Sequence, residues 1–163
     1  MDTSPEYVKM CEKATGIQDA WNPNAEGDVF FIQAGLFTNG KEPGNGETIY
    51  EKGEIVFCGD GVCPYNDYPL GQVRQDGSRF SYDDGKYIWL PRQDQLQEML
   101  ENADFYNDLR SLMEWTRKGP SGEDWRSDYS SRFKSAEQLW LAFVMHEKYN
   151  KVWNGSEWRE VHA

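Results

Sequence analysis

The chain is poor in the residues that carry most catalytic and metal chemistry. Its 163 residues include only two His and three Cys. An odd, small set of thiols makes no disulfide framework and fits a reducing compartment. With His146 and His162 as the sole imidazoles, no Ser or Cys nucleophile has an evident base beside it, and triad catalysis is not expected. A Gly-x-x-x-x-Gly-Lys phosphate loop and a Gly-x-Gly-x-x-Gly turn are both missing, which argues against P-loop hydrolysis and dinucleotide binding. No apolar run approaches the roughly 20 residues of a membrane helix. Met1-Asp2-Thr3-Ser4 has no basic start and no apolar stretch follows, so a secretory leader is not expected. Basic residues are the minority, 17 Lys and Arg against 28 Asp and Glu, for a net charge of −11. Such a surface repels phosphate backbones and anionic lipid, which disfavours direct nucleic-acid or membrane binding. The expectation is a cytoplasmic protein without a cofactor.

What the chain does hold is rings. Seven Trp, nine Tyr and eight Phe stand in a sequence of mean hydropathy −0.84. Each buried ring removes roughly 150–250 Å² from water. Disordered acidic chains lack that payload. The length suits one domain, 1–163, of α+β class: a small antiparallel sheet, about four helices and a C-terminal β-hairpin.

Local signals give the order of elements. Ser4 is a natural N-cap, with Pro5 at the first helical position, and Tyr7, Val8, Cys11, Ala14 and Ile17 share a face, predicting a helix from Pro5 to about Gln18. Strand signals follow at Val29–Ile32, Glu54–Cys58, Arg79–Tyr82 and Lys86–Leu90. Residues 25–84 form a glycine-rich β region, with a loop dense in turn formers between Thr38 and Gly46. Pro91 closes the last strand and pre-sets φ for a helical turn, making Trp89–Leu100 a strand-to-helix joint. Leu96, Met99, Leu100 and Ala103 keep helical spacing. Phe105, Leu109, Leu112 and Met113 form a second apolar set out of phase with them, which predicts a break near Ala103 and a new N-cap at Asp104. Residues 119–134 read as a mobile polar loop. Ser135 and Gln138 then form a capping-box pattern opening a helix to about Tyr149, apolar nearly all round and expected to be buried. Asn154-Gly155 marks the closing hairpin.

Three blocks of the sequence occur together: Glu6–Ala14 with Ile17, Gln18 and Trp21; Tyr87–Leu100; and Glu137–Met145 running through Glu147, Lys148 and Tyr149 to Val152–Gly155. Together they cover about a third of the chain and resemble a group of small phage and prophage proteins from Gram-positive bacteria and their relatives. The resemblance implies a phage-encoded protein at work in a host cytoplasm. It carries no activity and no functional residue with it.

Few constellations point to chemistry. Cys58-Gly-Asp-Gly-Val-Cys63 places two thiols at the ends of a tight loop, with His146 and His162 as possible partners, but C-x₄-C lies at the edge of zinc-site spacing and ordinary thiols are expected. His146-Glu147-Lys148-Tyr149-Asn150 lacks the second imidazole of a zinc-protease helix. His146 reads instead as a helix-terminal residue suited to the negative end of the dipole. Asp83-Asp84 reads as a solvated turn. The acids have the one functional edge: Asp94, Glu98 and Glu101 fall on one helical face, opposite Leu96 and Leu100, with Asp104 and Asp108 nearby. Rows of carboxylates imitate duplex phosphates, the device by which phage inhibitors of restriction or CRISPR nucleases often occupy basic channels. The expected function is therefore a non-enzymatic protein binding a host or defence protein with a basic surface. The alternatives are a pocket for a small molecule or signalling nucleotide, to which aromatics are equally suited, and an accessory enzyme without a recognisable motif.

Overall fold

A computed structural model of the chain describes residues 1–21, 28–34, 37–38, 49–50, 53, 55–57, 86–100, 104–119 and 129–161. The chain divides into two compact units, Trp21–Leu90 and a discontinuous one made of Met1–Ala20 with Pro91–Ala163. The architecture is mixed α+β, ending in a β-hairpin.

In the unit Trp21–Leu90 the strands are β1 (Val29–Ala34), β2 (Phe37–Thr38), β3 (Ile49–Tyr50), β4 (Ile55–Phe57) and β5 (Lys86–Trp89). β1 is the middle strand, antiparallel to β4 on one side and β5 on the other, so that Phe30 pairs with both Val56 and Trp89. Val29 and Phe30 are both buried, and the consecutive apolar residues of β1 fit a strand covered on both faces better than an alternating one would. A register shift falls between Ile32 and Ala34 on the β5 side. β2 and β3 form a separate antiparallel pair. Asp28, just before β1, is buried, and its carboxylate accepts the indole N–H groups of Trp21 at 2.7 Å and Trp89 at 3.3 Å. The Trp21 ring meets Phe30 edge-on at 5.0 Å. A buried carboxylate needs such donors, and here one comes from β5 and one from the segment before the sheet. The strand expected at Arg79–Tyr82 and the loop after Thr38 lie outside the described residues.

The discontinuous unit holds α1 (Pro5–Lys13), α2 (Thr15–Asp19), α3 (Gln93–Glu98), α4 (Phe105–Lys118), α5 (Ala136–Tyr149), β6 (Lys151–Trp153) and β7 (Trp158–Glu160). Ser4 caps α1 through its hydroxyl, which accepts Tyr7 N–H at 3.3 Å. Tyr7, Val8, Cys11, Ala14 and Ile17 are all buried, with Met10 beside them. The expected single helix is two: Ala14 leaves helical geometry at φ −85°, ψ 65°. The break brings Gly16 under the Tyr149 ring, where a Cβ would overlap ring carbons, and Tyr149 Oη donates to Gly16 O at 2.9 Å.

α5 is apolar all round as its sequence predicts, with Trp140, Leu141, Ala142, Phe143, Val144 and Met145 buried. Its N-cap is Ser135, accepting Gln138 N–H at 3.1 Å. The Gln138 side chain reaches back one residue further than a capping box, accepting from Lys134 N at 3.0 Å. Its amide donates to Asp2 Oδ2 at 2.7 Å, the atom that also accepts from Ser135 Oγ at 2.5 Å, while Asp2 Oδ1 accepts Ser4 N–H at 2.7 Å. One carboxylate thus ties the starts of α1 and α5 together. Desolvation raises the Asp2 pKa, but these donors outweigh it and leave it below the usual carboxylate value.

The joint at Trp89–Leu100 differs in detail from its reading. Pro91 lies one residue before the N-cap, which is Arg92, and is buried with its carbonyl accepting from Tyr7 Oη. The Gln95 side chain accepts Arg92 N–H at 2.8 Å. α3 ends at Glu98, and of the two leucines Leu96 is fully buried while Leu100 is only half-buried. The hairpin β6–β7 turns on Asn154, whose Oδ1 accepts the N–H groups of Ser156 and Glu157, and on Gly155 at φ 99°. It lies on α1, with Trp153 Nε1 donating to Glu6 Oε1 at 3.0 Å and Trp158 Nε1 to Met10 O at 3.0 Å. Tyr129, from the stretch expected to be a loop, is buried and accepts Trp153 N–H at 2.8 Å through its hydroxyl, whose pKa burial pushes up to about 12. Among the described residues no helix is long and apolar enough to cross a membrane.

Candidate functional site

α4 is where sequence pattern and structure part. Asp104 caps it as expected, accepting Tyr106 N–H at 3.0 Å. The apolar set Phe105, Leu109, Leu112 and Met113 does not face inward together, however. Only Leu112 is buried, while Phe105 is 58% exposed, Leu109 36% and Met113 64%. The inward stripe is Asp108, Leu112 and Trp115, at spacings of four and three. Trp115 fixes it, because its ring packs against Tyr129, Phe143 and His146 at centroid distances of 5.5, 5.5 and 5.7 Å. A Trp buries more surface than Leu or Met, and it decides which way the helix rolls.

The roll leaves an apolar strip on the outside. Tyr106, 72% exposed, joins Leu109 and Met113, and Arg110, Glu114 and Arg117 flank them. These residues line an open groove of about 400 Å³. Glu114 lies between two cations, 3.4 Å from Arg110 Nε and 3.6 Å from Lys118 Nζ. Scattered exposed apolar side chains are ordinary on a protein surface. Three large ones contiguous along one helix, rimmed by charge, match the Tyr, Met and Arg enrichment of protein interfaces.

Of the five acids of the expected face, four lie among the described residues. Asp94 is held by Arg92, Nε to Oδ1 at 3.1 Å and Nη2 to Oδ2 at 2.9 Å, and that guanidinium depresses its pKa. Glu98 is exposed at the end of α3, and Glu101 lies outside the described residues. Asp104 is occupied as a cap, also accepting from Asn107 Nδ2 at 2.7 Å. Asp108 points inward and is only 4% exposed; desolvation, then the charge of Asp104, raises its pKa.

The thiols Cys58 and Cys63 and the imidazole of His162 lie outside the described residues. His146 sits in the last turn of α5 with Glu147 Oε1 at 2.8 Å from its Nδ1. Cys11 is buried, and burial raises its thiol pKa, which makes it a packing residue rather than a nucleophile. Among the described residues no group of three or more His, Cys, Asp or Glu could hold a metal.

Comparison with family models, curated proteins and solved structures finds no match to the chain.

Proposed function

We propose that the chain is a non-enzymatic protein that works by binding another protein, and that the exposed face of α4 is its contact surface. The observation that carries this reading is the strip Tyr106, Leu109 and Met113, held outward by the burial of Trp115 and lined along one side by Arg110, Glu114 and Arg117. A partner protein gains area from the three apolar side chains and orientation from the charges beside them. The acidic surface has less to offer such a partner, since Asp94 is neutralised by Arg92 and Asp108 is inside. The resemblance of three sequence blocks to phage and prophage proteins supports placing this work in a host cytoplasm.

The test compares three proteins immobilised for capture from cytosolic lysate: wild type, Leu109→Asp with Met113→Asp, and Asp94→Lys with Glu98→Lys. All four positions are exposed, so circular dichroism should report folded protein throughout. Loss of capture in the α4 variant alone is the expected result. Loss in the acid reversal alone would return the contact to the carboxylates.

A further inference from the structure

The charges along the α4 groove form an ordered pattern. Reading the helix from its start, a ring at Tyr106 is followed by Leu109, Arg110, Met113 and Glu114, and then by the cation Arg117. Read in the opposite direction, each group meets a complement. With two such helices antiparallel and centred near Ser111, Leu109 lies opposite the partner's Met113, and Met113 opposite the partner's Leu109. Tyr106 comes level with the partner's Arg117, a cation over a ring. Arg110 and Glu114 lie on one flank of the helix, and a two-fold axis places the same flanks together, so Arg110 comes within reach of the partner's Glu114. The helix dipoles also oppose each other favourably. An isologous interface requires that residue i meet j while j meets i. This face satisfies that condition at apolar, aromatic and charged positions alike.

We infer that the occupant of the α4 face is a second copy of this chain, packed as an antiparallel two-helix contact. The inference rests on the reading of α4 as a protein-contact surface and names the partner. α4 has 14 residues, a length of about 21 Å. A contact of one helix on one helix falls toward the small end of specific interfaces, below about 1,200 Å². The dimer is therefore weak and concentration-dependent.

Sedimentation velocity of the full chain, from micromolar to about millimolar concentration, tests this with three variants. Wild type should pass from monomer to dimer across that range. Leu109→Asp with Met113→Asp should remain monomeric. Arg110→Glu alone and Glu114→Arg alone each set like charges opposite one another twice per dimer, and each should weaken association about tenfold. An equimolar mixture of those two variants should recover wild-type association as a heterodimer, because each contributes the charge the other lacks. The effect of a mutation confined to its own helix would not be cured by mixing. A wild type that stays monomeric throughout overturns the second-copy inference. If its capture of another protein still depends on Leu109 and Met113, the contact surface stands and only the partner changes. If capture does not depend on them either, both readings fall. A dimer indifferent to all three variants places the interface elsewhere.

Discussion

Removing the Asp2 carboxylate probes how the discontinuous unit is closed. In Asp2→Ala, Ser4 N–H, Ser135 Oγ and Gln138 Nε2 each lose an acceptor held at 2.5 to 2.7 Å. Hydrogen bonds to a charged group contribute about 1.5–3 kcal/mol each. The losses are not additive here: Asp2 is only half-buried, Gln138 Nε2 keeps Ser4 Oγ at 3.2 Å, and the Ser135 hydroxyl rotates to water. A net loss of about 2 kcal/mol is expected. Asp2→Asn should cost about as much, because its amide turns a donor toward the Gln138 donor. The cost is pH-dependent. The folded-state pKa of Asp2 is lowered below 3.8, so its contribution is present above the unfolded value and lost as pH falls through the lower folded one. Urea unfolding of wild type and both variants at pH 7, 4 and 3 measures it, and the gap between them should narrow below pH 4. Asp94→Asn is the control: its partner Arg92 is at the surface, so a change of about 0.5 kcal/mol or less is expected. A change at Asp2 no larger than this control, or one that is the same at pH 3 and pH 7, would refute the argument.

Two further substitutions follow from burial and hydrogen bonding. Leu96→Ala, at a fully buried position, should destabilise by about 2–5 kcal/mol, whereas Leu100→Ala, half-buried, should cost clearly less; thermal unfolding distinguishes them. Tyr129→Phe leaves the buried Trp153 N–H without its acceptor and should cost about 1–3 kcal/mol by urea titration. Wild type should also lose stability as pH rises from 10 toward 12, because the raised Tyr129 pKa keeps the phenol neutral only in the folded state; the loss, followed by phenolate absorbance, should be smaller in the variant, which keeps the raised phenols of Tyr7 and Tyr149.

Elements governed by local chemistry were legible in the sequence. Ser4, Asp104 and Ser135 are caps because a short side chain with an oxygen answers the first free N–H groups wherever it precedes a helix. α5 was legible because a run apolar on every side admits only a buried helix. The Asn154-Gly155 turn announced the hairpin. The break at Ala14 was not legible, since the ring it accommodates, Tyr149 over Gly16, comes from 133 residues away. The direction of α4 was lost for a subtler reason. Two stripes compete on that helix, and a count of apolar positions favours Phe105, Leu109, Leu112 and Met113 over one that includes Asp108. The signal that decides is Trp115, three residues beyond Leu112, whose size outweighs a single buried carboxyl. The candidate site was hidden by the same error, because an exposed Leu or Met has the sequence signature of a core residue. On the acidic face, the helix expected after Pro91 overruns its observed end at Glu98, and Glu101 lies outside the described residues.

The route of the chain through the discontinuous unit governs how it comes to be made. Met10 accepts from Trp158, and Glu6 from Trp153. A ribosome adding roughly 5–20 residues per second needs about 7–30 s to travel from the first member of such a pair to the second. For that interval Tyr7, Met10, Cys11 and Ile17, all fully buried in the finished fold, exist without the strands β6 and β7 that later cover α1. Contacts so distant in sequence also slow folding after release, since a long loop must close before they form. The α1 segment is thus amphipathic and without this cover for that interval, and nascent chains halted before Trp153 should retain that character.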